Sequence, residues 1–270
     1  QHRLIAGLLS DAPTDALLAE LPALRKETDE SRSNALRVQG AAIEGWLHVV
    51  SGDLHRAEEC VRDVLPLAQA KTPPLIPCLY LATCAALIDA VGGTSNGARA
   101  LLEQLLDEAR ASALPIGPTL FAQANRLLLL ARSASYRELE DAADQLRRLV
   151  IPDGNRHLRS YMHFALGVAA LMHGKPVEAL DHARIACELG EWCKAAVAQA
   201  LSALLEAQAL ADLAQEAAAL KCIEAWLPRW QAAGFRLVRA AALLECANLH
   251  RRAGRVALAR ASIAEAHAAL

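Results

Sequence analysis

The sequence predicts an all-α fold, an α-α superhelix of about seven helix-pair repeats of roughly 40 residues each. Composition and a recurring turn point there together. Hydrophobic residues make up 54% of the 270-residue chain but aromatic residues only 4%, so alanine and leucine carry the apolar content. Alanine has the highest helix propensity and lets backbones approach closely, whereas strands favour β-branched and aromatic residues. Three short turns, Ser51-Gly52-Asp53, His173-Gly174-Lys175 and Ala253-Gly254-Arg255, each separate two long stretches of helical apolar periodicity. Each Gly is followed five residues later by Ala (Ala57, Ala179, Ala259) and preceded seven residues earlier by a small residue (Gly45, Gly167, Ala247).

The same small-x6-small-x4-Ala pattern recurs as Ala86, Gly93, Ala98 and as Ala207, Ala214, Ala219. A degenerate unit with its turn near Ala134, at Ser133-Ala134-Ser135, fills the one gap in the spacing, and a further unit back reaches Asp11 with Ala16. Two antiparallel helices that cross closely need a residue without bulk on each side of the contact, and a Gly between them ends the first helix. First helices are expected over 34–50, 74–91, 119–132, 157–173, 193–211 and 235–252. Second helices are expected over 14–29, 55–70, 97–111, 136–149, 176–189, 215–232 and 256–270. Pro176 falls at a helix start, where its missing N–H is harmless. Ser135-x-x-Glu138 has the form of a capping box. Pro66 and Pro228, each fourteen residues past a turn, should kink or end a second helix. The runs Leu114-Pro115-Ile116-Gly117-Pro118 and Ile151-Pro152-Asp153-Gly154-Asn155 read as connections between units. One continuous domain over 1–270 is expected.

The chemistry-bearing residues point away from catalysis. With 28 basic and 30 acidic residues the net charge is −2, and no clustered basic face for nucleic acid stands out. Arg251, Arg252, Arg255 and Arg260 read as the solvated end of a helix pair. Seven cysteines, with no CxxC pair, read as small apolar residues in a reducing, cytoplasmic setting. The nine histidines are scattered, with no HExxH and no metal-ligand spacing, so no metal or other cofactor is expected. Glu58-Glu59 and Asp107-Glu108 read as solvated faces of second helices. No signal peptide opens the chain, and its apolar stretches are too interrupted to span a bilayer. The start at Gln1 and the end within a helical pattern at Leu270 suggest a piece of a longer protein.

The triplets Gly45, Gly52, Ala57 and Gly167, Gly174, Ala179 resemble the small-residue positions of tetratricopeptide units, here in longer repeats with mostly aliphatic signature positions. The Ala/Leu-rich segment Phe235–Leu270 resembles the superhelical sensor domain of MalT-like, LuxR-type bacterial transcriptional activators. That resemblance implies a domain between an ATPase module and a DNA-binding module, binding a small-molecule effector or a regulatory protein in its concave groove. Neither a GxxxxGK[ST] run nor a helix-turn-helix occurs in these residues. The tetratricopeptide arrangement implies groove positions at Gln39, Trp46, Tyr80, Thr83, Tyr161, Phe164, Gln208, Asp212, Asn248, Arg251 and Arg252. Gln208 and Asn248 are then expected to stack in successive units. Tyr161 and Phe164 equally suit filling the space between helices. Two functions remain open: a ligand-sensing domain of a transcriptional activator, or a protein- or peptide-binding scaffold with no small ligand.

Overall fold

The computed structural model describes residues 12–69, 74–90, 98–111, 116–133, 136–149 and 155–270, and every regular element among them is a helix. Helices α1 (Thr14–Leu18) and α2 (Leu21–Glu30) lead into the pair α3 (Asn34–Ser51) and α4 (Leu54–Ala68). Next come α5 (Leu75–Ala90) with α6 (Ala98–Ala111), and α7 (Ile116–Ser133) with α8 (Tyr136–Arg147). The last pairs are α9 (Arg156–Met172) with α10 (Pro176–Trp192), α11 (Ala196–Asp212) with α12 (Glu216–Ala233), and α13 (Arg236–Arg252) with α14 (Val256–Ala269).

The predicted turns have a common geometry where they are described. Gly52, Gly174 and Gly254 all have positive φ, and Ala214 takes the same left-handed conformation at φ 57°. In each, the N–H of the residue after the left-handed one bonds back to a carbonyl near the helix end: Asp53 to His48, Lys175 to Ala170, Gln215 to Leu210 and Arg255 to His250, at 2.8–2.9 Å. These bonds satisfy carbonyls that the helix end leaves open. Gly93, Asp11, Ala134, Ser135 and residues 151–154 lie outside the described residues. Asn155, at the end of the last of these, caps α9 by accepting from the Leu158 N–H at 3.3 Å.

Two local expectations are corrected. The single helix expected over 14–29 is divided after Leu18, because Pro22 has no N–H to continue the ladder and its ring would clash with the carbonyl four residues back. Ile116 to Pro118 belong to α7 rather than to a connection, since a proline in the first turn costs no hydrogen bond. Pro66 and Pro228 both lie inside helices; α4 ends two residues after its proline, whereas α12 runs on to Ala233.

First helices form an inner layer. Each packs on its own second helix and also on the next first helix, α3 on α5, α5 on α7, α7 on α9, α9 on α11 and α11 on α13. The series then returns on itself, because α13 packs on α3. Leu237 joins the core around Val38 and Leu81, and Val50 joins the core around Phe235 and Val238. At the same junction Arg236 lies 3.9 Å from Asp15, and a side chain at Gly234 would meet Thr14 at 3.3 Å. The six inner helices thus close into a ring, with second helices outside. All seven cysteines are free thiols. Among the described residues no helix is long and apolar enough to cross a membrane.

Candidate functional site

A cavity of 140 Å³ opens on the inner side of this ring. Five first helices contribute to it: Gln39, Ile43 and Trp46 from α3, Tyr80 and Thr83 from α5, Phe121 from α7, His157 and Tyr161 from α9, and Val197, Ala198 and Leu201 from α11. The repeat explains why these residues meet. Gln39, Tyr80, Phe121, Tyr161 and Leu201 follow one another at forty- or forty-one-residue steps, so they occupy one position of successive units.

The aromatic members form a continuous wall. Tyr80 and Phe121 have ring centroids 6.5 Å apart, Phe121 and Tyr161 4.9 Å, and Phe121 and His157 5.8 Å, all tilted. Such tilted contacts contribute about 0.5–1.5 kcal/mol each beyond their buried area. The hydroxyls are largely turned to protein partners, which leaves the wall apolar. Tyr161 Oη donates to Asn125 Oδ1 at 3.0 Å, and Asn125 Nδ2 in turn donates to the Phe121 carbonyl at 2.7 Å. Thr83 Oγ1 donates to the Leu79 carbonyl at 2.8 Å. Burial pushes the Tyr161 and Tyr80 hydroxyls up from the usual phenol range, so both stay neutral.

His157 is different. Its Nδ1 and Nε2 are both buried and have no hydrogen-bond partner. Burial lowers its pKa, so the ring is neutral and offers one donor and one acceptor at the cavity wall. Buried polar atoms are nearly always paired, so this ring can donate to or accept from a group placed in the cavity.

Of the positions expected to face the groove, Gln39, Trp46, Tyr80, Thr83 and Tyr161 line the cavity. Phe164 does not; it is buried beside Tyr161, centroids 6.2 Å apart, in the core between α9 and its neighbours. Gln208, Asp212, Asn248, Arg251 and Arg252 also stand apart from it, towards the C-terminal ends of α11 and α13. There Arg251 donates to Asn248 Oδ1 at 3.0 Å, and Arg252 donates to the Ala211 carbonyl at 3.2 Å and pairs with Glu216 at 3.0 Å. Arg252 therefore ties α13 to the preceding pair. Phe121, His157 and Leu201 were missed by the sequence reading. The signal for Phe121 and Leu201 was the repeat itself, one unit on from Tyr80 and from Tyr161.

Metal-ligating side chains come together elsewhere, at Glu44, His48 and Cys60. Their spacing in the sequence is no metal motif, because the third group arrives from the paired helix.

No protein-family model matches the chain, and no curated protein matches it either. Solved structures do. A Rap protein complexed with competence and sporulation factor matches at TM-score 0.68 with 11% identity, covering 99% of this chain and 83% of that one. NprR in complex with its cognate peptide NprX matches at TM-score 0.66 with 15% identity, covering 92% and 70%. The apo form of the quorum sensor NprR from B. thuringiensis matches at TM-score 0.56 with 13% identity, covering 95% and 82%. At these identities the likeness is one of fold, and the chain has the tetratricopeptide-like helical-repeat solenoid of these proteins.

Proposed function

We propose that this chain is a regulatory binding scaffold that holds a short peptide inside the ring of first helices, with one apolar side chain of that peptide seated in the aromatic cavity. The size of the cavity carries the reading. Pockets for drug-sized ligands span about 300–1,000 Å³, whereas a dry cavity of roughly 150 Å³ accepts a single benzene ring. At 140 Å³ the site has the size to seat one anchor side chain. Burying a Leu- or Phe-sized group contributes about 1.5–3 kcal/mol, on the order of ten- to a hundredfold in affinity. The remaining affinity must come from backbone contacts along the ring, where Gln39 and the neutral His157 offer hydrogen bonds. NprR, which shares the fold, binds a cognate peptide, and this supports peptide recognition more than a MalT-like sensor of a small effector. The occupant is also consistent with a binding role rather than a catalytic one.

A library of short peptides screened by fluorescence polarisation tests the proposal. Binders should share one aromatic or branched apolar residue. Ala198→Leu, which fills the cavity, should keep the fold and weaken those peptides about tenfold or more. Peptides that bind Ala198→Leu as well as the parent chain would place the anchor elsewhere. Stabilisation by small apolar compounds, with no peptide bound, would return the weight to an effector sensor.

A further inference from the structure

Helix α3 has a second face rich in polar groups. Its residues advance by about 100° each, so Glu44 and His48 stand one turn apart on the side opposite Gln39, Ile43 and Trp46. Cys60 reaches them from α4, and the carboxylate, imidazole and thiol ligand atoms all lie within 4.8 Å of one another. Glu44 and His48 are 7% and 4% exposed. His48 Nε2 is buried without a hydrogen-bond partner, 3.6 Å from Glu44 Oε1, too long for a hydrogen bond. A nearly buried imidazole with Nε2 unpaired thus stands together with a carboxylate and a thiol.

A positive charge already stands at the edge of this cluster. Arg25, from α2, donates through Nε at 2.8 Å and through Nη2 to the same Glu44 oxygen. Its side chain is 58% exposed, so it approaches from solvent and can withdraw into it. Burial by itself would raise the Glu44 carboxyl, but the nearby His48 and the hydrogen-bonded Arg25 guanidinium outweigh it and hold the group down at about 2. The Cys60 thiol is pushed up to about 12 by burial and by Glu44. A cavity of 430 Å³ between α2, α3 and α4, lined by Arg25, Glu44, Glu59, Cys60 and Asp63, gives access from solvent.

We propose that Glu44, His48 and Cys60 form a binding site for one thiophilic divalent cation, zinc by its donor set, which exchanges with the Arg25 guanidinium. Imidazole nitrogen, carboxylate oxygen and thiolate sulfur are the ligand types zinc takes, and three protein ligands leave the fourth position open towards the cavity. As the cation binds, a metal–sulfur bond forms, the thiol proton passes to solvent, and Arg25 leaves Glu44. The ion then joins α3 to α4 independently of any peptide in the ring.

The test uses the full chain, first stripped with a chelator, and zinc chloride in calorimetry. One zinc per chain is expected, with one proton released on binding. Cys60→Ser and His48→Gln should each weaken it by at least about tenfold. Cobalt(II) as a substitute should give a sulfur-to-metal charge-transfer band that Cys60→Ser lacks. Arg25→Ala should bind zinc more tightly than the parent, a change that a merely structural Arg25–Glu44 pair would not produce. Circular dichroism establishes that each variant is folded, and His48→Gln serves if Cys60→Ser is not. Zinc binding of the parent no better than that of Cys60→Ser, or a cobalt band that survives this substitution, overturns the site. Weaker binding by Arg25→Ala overturns the exchange.

Discussion

The inner wall of the ring and the seam between paired helices are built from the same register with opposite side chains. On the wall, one position per unit carries Gln39, Tyr80, Phe121, Tyr161 and Leu201, and their bulk encloses a cavity. On the seam, the position seven residues before the turn carries Gly45, Ala86, Gly167, Ala207 and Ala247. A Cβ at Gly45 would lie 2.7 Å from Cys84 Sγ and 3.7 Å from the Ala57 carbonyl. At Gly167 it would lie 2.7 Å from Leu205 Cδ2 and 3.3 Å from the Ala179 carbonyl. The small residue therefore meets both the next first helix and the Ala of its own unit. Close helices come from removing bulk on one face, and the cavity comes from keeping it on the other.

The seam should be the less forgiving of the two. Gly167→Leu places a side chain where a Cβ alone already collides with Leu205 and crowds backbone. Overpacking of this kind costs about 1–3 kcal/mol, occasionally more, which in a chain of this size is a fall in Tm of roughly 2–4 °C per kcal/mol. Gly174→Ala makes the contrast. Nothing lies within 4 Å of its Cβ, and only its φ of +68° opposes the change, at about 1–2 kcal/mol. A Gly167→Leu variant melting above Gly174→Ala would break the comparison.

That seam was readable in the sequence because its signal is a repetition. One Ala means little, but triplets in register mark the crossings Gly45–Ala57 and Gly167–Ala179, and most helix ends fell within one to three residues of their expected places. The wall was readable only in part. Tyr80 and Tyr161 came from carried-over groove positions, while Phe121, at the same position in the degenerate unit, went unseen because its turn has no glycine to flag it. Closure of the ring was not readable at all. Contacts such as Leu237 with the Val38 core join units far apart in sequence, and no local pattern records them. That closure concentrates the cavity on α3 to α11, whereas the groove had been expected to continue to Arg252.

The seam also carries a pH dependence of its own. His163 and His182 face each other across α9 and α10, Nδ1 to Nδ1 at 2.9 Å. Burial lowers both; His163 is held down to about 4, with His182 and Arg159 adding repulsion, while Glu178 partly offsets the fall at His182. Below the ordinary histidine value of about 6.5 the unfolded chain takes up protons that the folded pair refuses. Stability from this pair is therefore fully present above that value and is lost as pH falls towards 4. Thermal melts between neutral pH and ~pH 5 should show the parent losing Tm more steeply than His163→Gln. Parallel curves would mean that the pair carries no such linkage.

The smallest expected effect belongs to the amides at the far end of the ring. Gln208 and Asn248 repeat one groove position in successive units, yet neither lines the cavity. Asn248 is engaged by Arg251. Gln39 differs in being placed at the cavity with the aromatic wall beside it. An amide that loses a hydrogen bond to bound ligand costs about 1–3 kcal/mol, so Gln39→Ala should weaken an anchored peptide by roughly five- to a hundredfold. Gln208→Ala and Asn248→Ala, at half-buried positions away from the cavity, should leave it within about a factor of two and change stability by no more than ~1 kcal/mol. Polarisation titrations of the three variants with one peptide settle the order. A loss at Asn248→Ala equal to that at Gln39→Ala would mean that the peptide runs beyond the aromatic wall to the end of α13, and the binding surface would then have to be redrawn along the whole ring.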